Sequence, residues 1–241
     1  MTRFDLVLVS VVSLFVGGAA YHYGPAAEQA RHYTQALARV GAEYRAERLS
    51  VLTGEEPVFT TDWVKDNIDK RGPVLAHLRD NPEARGLEIG SFEGRSAIWF
   101  AQNILTHPDA RLTCIDPFEF QDGRIEAFFD HNIKAAGIEA KIIKIKGYSG
   151  EVLRTLPVNS FDFVYVDGCH LKTCALEDLV LSWPLLKQEG IVIVDDYEFR
   201  GDIPREYPRP GINAFIDIYD HAIEILEMGR QVVFRKVGSG Y

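Results

Sequence analysis

Residues 86–105 have the sequence GLEIGSFEGRSAIWFAQNIL, which joins three local patterns. A short apolar run at residues 87–89 predicts the end of a buried strand, and an amphipathic run at residues 96–105 predicts a helix. The loop between them does not match the GxGxxG spacing, because Phe92 and Arg95 stand where two of its glycines would be. A strand, a glycine loop and a helix start together predict a ligand cradle, since glycines admit a close ligand and a helix N-terminus offers N–H donors.

The segments that follow alternate between predicted strands and predicted helices. Strands are predicted at residues 111–115, 141–146, 161–166 and 191–194. Helices are predicted at residues 128–136, 151–156 and 176–186. This alternation predicts an α/β fold with a parallel, doubly wound sheet. The tail differs, because two apolar runs flank Met228, Gly229 and Arg230 and so predict a hairpin.

Glu88, Gly90, Gly94 and Ser96 form the pattern E-x-G-x-x-x-G-x-S. This pattern resembles the first motif of class I S-adenosylmethionine (SAM)-dependent methyltransferases, and most of all the branch of catechol O-methyltransferase and its bacterial relatives. Four further blocks resemble the same branch: FTTDW (59–63), LTCIDPF (112–118), FVYVDGCH (163–170) and GIVIVDDY (190–197). The resemblance implies a Rossmann-like, seven-stranded sheet with a C-terminal antiparallel hairpin over residues 58–241, and SAM as the cofactor.

Cofactor contacts are expected where strands end, because ligands of open parallel sheets bind beyond the carboxyl ends of the strands. Asp116 ends the second strand, where an acid can accept hydrogen bonds from both ribose hydroxyls; a turn residue before Pro117 is the alternative. The resemblance implies that Glu88 acts near the methionine end of SAM, against the alternative of a structural salt bridge, and that Ser149 borders the adenine. The predicted cofactor-binding set is Glu88, Gly90, Ser91, Gly94, Ser96, Asp116, Ser149 and Asp167.

Three further carboxylates follow the last two parallel strands: Asp167, Asp195 and Asp196. Carboxylates that share one edge repel each other and raise their pKa values unless a cation neutralises them. Oxygen ligands suit Mg²⁺, Mn²⁺ or Ca²⁺. The resemblance implies the same divalent cation site, although Asp195 and Asp196 could simply end a strand.

His170 is the predicted general base, because an imidazole titrates near neutral pH. The catechol branch has a lysine at this place, and some sugar-methylating relatives have an acid where this chain has Cys169. A loop histidine is the alternative. The segment at residues 197–211, with Arg200, Arg205 and Arg209, could shape an acceptor pocket or be a solvated loop.

Composition narrows the range of partners. The net charge of −9 argues against a nucleic-acid partner, because a protein needs a basic surface to bind nucleic-acid phosphates. The three cysteines include no C-x-x-C pair, which indicates reduced thiols.

The N-terminal region is predicted to lie outside the catalytic domain. Residues 6–23 carry no charged side chain, so residues 1–24 are predicted to form a membrane anchor, with a cleaved signal peptide and a buried helix as alternatives. The expected localisation is a membrane-anchored protein with a cytoplasmic catalytic domain. Residues 25–57 are predicted to form a juxtamembrane helix and linker. An apolar stripe in that helix could support a homo-oligomer or could pack onto the globular domain.

The predicted function is SAM-dependent, metal-assisted methyl transfer to a hydroxyl group of a small molecule. A metal-independent N- or O-methyltransferase is one alternative. A membrane-anchored SAM-binding or scaffold protein without turnover is the other.

Overall fold

The computed structural model describes residues 49, 51–61, 72–200 and 207–238, except for the side chains of residues 121 and 122. These residues belong to one unit, Leu49–Tyr241. The predicted anchor, the juxtamembrane helix with its apolar stripe, and a predicted helix at residues 63–68 lie outside the described residues.

Seven strands of the described chain form one sheet in the order β3-β2-β1-β4-β5-β7-β6. They are β1 (Arg85–Ile89), β2 (Arg111–Asp116), β3 (Ile142–Lys146), β4 (Phe161–Val166), β5 (Leu186–Val194), β6 (Ile223–Met228) and β7 (Val232–Lys236). The first five are parallel, whereas β7 pairs antiparallel with both β5 and β6. The predicted Rossmann-like sheet with a C-terminal antiparallel hairpin is confirmed.

Helices cover both faces of the sheet. They are α1 (Gly72–Leu75), α2 (Arg95–Asn103), α3 (Arg124–Ala135), α4 (Ser149–Val152), α5 (Lys172–Ser182) and α6 (Arg209–Ile218). Strand β4 contributes side chains to the hydrophobic cores on both faces of the sheet, because alternate side chains of a strand point to opposite faces. Phe163 and Tyr165 pack in the core with Phe100 of α2, whereas Val164 and Val166 pack in the core with Leu179 of α5.

Several element predictions were wrong in their bounds. The helix predicted at residues 128–136 is Arg124–Ala135, and the helix predicted at residues 151–156 is Ser149–Val152. The predicted helix at residues 176–186 ends at Ser182. Strand β5 begins at Leu186, earlier than predicted, although the three residues after Leu186 are polar. Helix α6 was not predicted, because its two prolines at the start and its position in a long loop segment hid its apolar face.

The predicted localisation is also corrected. Within residues 49–61, 72–200 and 207–238, no helix is long and apolar enough to cross a membrane. Residues 6–23, on which the membrane-anchored localisation depended, lie outside that part of the chain.

Candidate active site

Gly90 lies at the point where the strand order reverses, between β1 and β4. Its φ angle is +87°, and a Cβ atom there would lie 2.1 Å from the carbonyl oxygen of Asp167. The Asp167 N–H donates to the carbonyl of Ile89 over 2.8 Å, so the two strand ends stay in register. Only a glycine fits this crossing, and the crossing brings the glycine loop (residues 90–94) against the residues that follow β4. We call the edge where β1, β2, β4 and β5 end the carboxyl rim.

Asp116 connects the glycine loop to the segment after β2. Its Oδ2 accepts a hydrogen bond from the Phe92 N–H (2.9 Å), and its Oδ1 accepts one from the Phe118 N–H (2.6 Å). Both phenylalanines have positive φ angles, which bring their N–H groups onto the carboxylate. Burial raises the pKa of Asp116, and these backbone hydrogen bonds oppose the rise. Because each carboxylate oxygen has two acceptor sites, Asp116 keeps capacity for ligand hydroxyls.

Glu88 lies beneath the glycine loop. It is fully buried, and its Oε1 accepts a 2.5 Å hydrogen bond from the Ser96 hydroxyl in the first turn of α2. This contact joins the end of β1 to the first turn of α2 across the glycine loop. Ser91 is also buried, and Gly94 begins α2 with a φ angle of +82°.

Three potential metal ligands converge after β4 and β5. Ligand atoms of Asp167, His170 and Asp196 lie within 4.8 Å of one another. His170 Nε2 is 2.8 Å from Asp196 Oδ2. The sequence-based ligand set instead contained Asp167, Asp195 and Asp196, with His170 assigned only as the base.

Asp195 points to a different neighbour. Its Oδ2 accepts a hydrogen bond from the Tyr165 hydroxyl (2.5 Å), and its Oδ1 accepts one from the Asp196 N–H (2.9 Å). The same Tyr165 hydroxyl lies 2.7 Å from Asp167 Oδ2. Tyr165 therefore links the carboxylates that follow two neighbouring strands.

Ser149 begins α4 at the end of the loop after β3. It hydrogen-bonds Asp178 of α5, a buried acid. Burial raises the pKa of Asp178 to about 6; the Ser149 hydrogen bond lowers it, and the nearby Glu177 raises it further. The Asp178 carboxylate also lies close to Gly168, next to Asp167.

Comparison with known proteins agrees with this arrangement. Residues 87–197 match the methyltransferase domain family. The O-methyltransferase ankF of Aspergillus thermomutatus is 28% identical over 153 residues, which cover 61% of this chain and 62% of that protein, less than two thirds of its length.

Two solved structures have the same fold. The O-methyltransferase TomG from Streptomyces achromogenes, in complex with SAM, is 19% identical with a TM-score of 0.54, over 99% of this chain and 100% of TomG. The O-methyltransferase from Bacillus cereus, in complex with S-adenosylhomocysteine (SAH), is 17% identical with a TM-score of 0.54, over 83% of this chain and 90% of that one. The chain therefore resembles SAM-dependent O-methyltransferases, over residues 87–197 by sequence and over most of its length by fold.

The residues present fit SAM as the cofactor. The Gly90 crossing holds the glycine loop against the residues after β4, and Asp116 offers carboxylate oxygens at the end of β2. Individual contacts of the predicted cofactor set stay predictions, since each depends on where the bound cofactor lies.

Three buried polar residues of the candidate active site were missed by sequence reasoning. Tyr165 links Asp167 and Asp195, as described above. Glu93 accepts hydrogen bonds from the N–H and hydroxyl of Thr60, at 2.8 and 2.6 Å. Asn132 bonds both the N–H and carbonyl of Val58 and the carbonyl of Glu93. The tyrosine near the end of the mainly apolar strand β4 was the only local signal. Glu93 and Asn132 contact residues that are distant in the sequence.

Proposed function

We propose that this protein transfers a methyl group from SAM to a hydroxyl group of a small molecule, assisted by a divalent cation at the carboxyl rim. The convergence of Asp167, His170 and Asp196 beside Gly90 is the observation that carries the proposal. The relatives support the hydroxyl acceptor: ankF is an O-methyltransferase, and TomG takes part in tomaymycin synthesis.

The glycine loop and Asp116 would hold SAM. Gly90 holds the loop against the residues after β4, and the Asp116 carboxylate would accept hydrogen bonds from the hydroxyl groups of SAM. SAM supplies a methyl group on a positively charged sulfur atom. Because Asp116 is itself held by two backbone N–H groups, it is preorganised to orient the ligand.

Asp167 and Asp196 are the residues best placed to hold the cation. Ligands of Mg²⁺, Mn²⁺ or Ca²⁺ lie roughly 2.0–2.6 Å from the ion, so opposite ligands are ~4–5 Å apart. The observed spread of up to 4.8 Å fits that requirement. A cation there supplies positive charge that lowers the pKa of a nearby hydroxyl group and offsets the repulsion among the carboxylates. Asp195 would contribute by fixing Tyr165.

His170 would take the proton from the acceptor hydroxyl. A neutral imidazole that donates from Nε2 to Asp196 has its lone pair on Nδ1, which can accept a proton. Asp196 then stabilises the imidazolium that forms. The ring is exposed at the rim, where an acceptor can reach it.

The same contact supports a second candidate, a metal-independent methyltransferase. The 2.8 Å pairing of His170 and Asp196 is the geometry of a base oriented by a carboxylate. In this alternative Asp196 serves the histidine alone, and Asp167 and Asp195 are held by Tyr165 without a cation.

Release of SAH from SAM, measured with a panel of phenols and sugars, tests both candidates. We expect turnover to fall after EDTA treatment and to return when Mg²⁺ or Mn²⁺ is added. His170→Gln should lower turnover by ~10²–10⁴-fold, as for loss of a positioned base. His221→Gln is the matched control, because His221 lies beside Asp220 just before β6, at the opposite edge of the sheet. Full activity in EDTA would favour the metal-independent candidate, and absence of turnover with every acceptor would contradict both.

A further inference from the structure

A cavity of about 400 Å³ opens beside the carboxyl rim, between the end of β5 and the start of α6. This volume lies within the range of about 300–1,000 Å³ that is typical of small-molecule sites. Its lining includes Tyr197, Phe199 and Tyr207. The Phe199 ring lies 4.6 Å from the His170 ring, centroid to centroid, so one residue of the cavity wall contacts the proposed base.

Two arginines of the lining are held against aromatic rings. The Arg209 guanidinium lies 4.8 Å from the centre of the Tyr197 ring, and that of Arg200 lies 5.9 Å from the centre of the Tyr207 ring. Tyr197 is itself fixed, because it is buried and its hydroxyl donates to Asn213 over 2.8 Å. The two arginines are therefore positioned by aromatic rings and not by carboxylates.

Neither arginine forms a salt bridge with any residue that the structure describes, whereas Arg154 and Arg235 each pair with a glutamate. Guanidinium groups match the geometry of carboxylate and phosphate groups, which they bind through two parallel hydrogen bonds. Glu198 is the acid within the lining, so the two arginines leave the cavity with a net positive charge. This charge stands out in a chain whose net charge is −9.

We propose that the acceptor is an aromatic hydroxyl compound that carries an anionic group, a carboxylate or a phosphate, and that Arg200 and Arg209 bind that group. The inference rests on the proposed function, because it assigns the substrate class of the same site. The aromatic side chains supply flat apolar surfaces for the ring of the acceptor. The arginines offset the repulsion that an anionic acceptor would meet from Asp167, Asp195 and Asp196. Its hydroxyl group then faces His170.

Binding to the SAH-loaded protein in Mn²⁺ tests the inference by calorimetry. The probes are 3,4-dihydroxybenzoate, 3,4-dihydroxyphenylphosphonate and the neutral methyl ester of the benzoate. At least one anion should bind about tenfold or more tightly than the ester, as expected for a charge-assisted contact. The anion that binds more tightly identifies which of the two groups the arginines prefer.

Variants assign the preference to the arginines. Arg200→Gln and Arg209→Gln should each reduce it, and the double variant should abolish it. Arg235→Gln is the control, since Arg235 pairs with Glu224 on the hairpin strands β6 and β7. Equal affinity for anions and ester, absence of anion binding, or a preference that survives in the double variant would overturn the inference.

SAH release measured on the same samples separates this inference from the proposed function. Equal turnover of anionic and neutral acceptors would leave methyl transfer standing and overturn the anion site. Selective binding of an anion without SAH release from SAM would support the anion site and contradict methyl transfer to these hydroxyls.

Discussion

At the scale of single residues, Gly90 determines whether the site can form. Its positive φ angle would strain any other residue, and a Cβ atom would collide with the backbone of Asp167. Gly137 provides a contrast, because it also has a positive φ angle, yet a Cβ atom there would meet no other atom within 4 Å. A comparison of the two glycines therefore distinguishes the cost of backbone strain, which both positions share, from the cost of steric crowding, which applies at Gly90.

We predict that Gly90→Ala destabilises the fold more than Gly137→Ala does. Both variants incur left-handed strain of ~1–2 kcal/mol. Gly90→Ala adds overpacking against a backbone carbonyl, worth ~1–3 kcal/mol more. Urea denaturation of the two variants gives the comparison. Equal losses would show that the β1–β4 crossing tolerates a methyl group.

Asp178 is a second residue whose environment has a measurable consequence. Its folded-state pKa of about 6 lies above the ordinary value of 3.8, because burial disfavours the charge. The folded state thus favours the protonated form of Asp178. Protonation contributes fully to the free energy of unfolding below about pH 4, and this contribution is lost as the pH rises through about 6.

Asp178→Asn should remove this pH dependence. The variant's free energy of unfolding, relative to wild type, should rise between pH 4 and pH 7 by up to roughly 3 kcal/mol, the equivalent of the pKa shift. Glu139→Gln is the control, since Glu139 is an exposed acid in the turn before β3 and does not contribute to the pKa of Asp178. Parallel pH profiles for wild type and Asp178→Asn would contradict the prediction.

At the scale of elements, the sequence predicted the strands better than the contacts between them. Strand β4 was predicted with its observed bounds, because Phe161–Val166 is apolar or aromatic at every position except Asp162. The positions of Asp116 and Asp167 followed from the rule that strand ends share an edge. The pairing of Asn132 with Val58 could not be predicted, because residues 74 positions apart leave no local pattern. The His170–Asp196 contact was missed for the same reason, since its partners follow different strands.

The contacts of Asn132 lead to a prediction about the segment at residues 57–61. The Val58 N–H donates to Asn132 Oδ1, and the Thr60 N–H donates to Glu93 Oε2. Asn132→Ala removes the first acceptor directly and leaves the Glu93 carbonyl without its donor from Asn132. Hydrogen exchange at the Val58 amide should accelerate by about two- to tenfold, since a net hydrogen bond is worth ~0.5–1.5 kcal/mol.

Glu119→Gln is the control for this measurement, because within the described residues the Glu119 side chain hydrogen-bonds the hydroxyl of the exposed Tyr148. Exchange at Val58 should be unchanged there. Unchanged exchange in Asn132→Ala would mean that other contacts hold the segment to the glycine loop.

At the scale of the whole molecule, the parallel sheet gathers acids from distant parts of the sequence. Asp116, Asp167 and Asp196 each follow a strand of the same orientation, and so they meet at the carboxyl rim. The antiparallel β7 and β6 extend the sheet beyond β5, so β5 is paired on both sides. The carboxyl rim thereby brings together the glycine loop, three potential cation ligands and the arginine-lined cavity.

Binding of Mn²⁺ to the SAH-loaded protein, followed by the loss of the free-ion electron paramagnetic resonance signal, tests the cation site most directly. We predict one bound ion per chain, lost in an Asp167→Asn and Asp196→Asn double variant and retained in Asp217→Asn, which changes an exposed acid of α6. This readout does not depend on the acceptor. Absence of Mn²⁺ binding by the wild type, or equal binding by the double variant, would contradict a cation at the carboxyl rim.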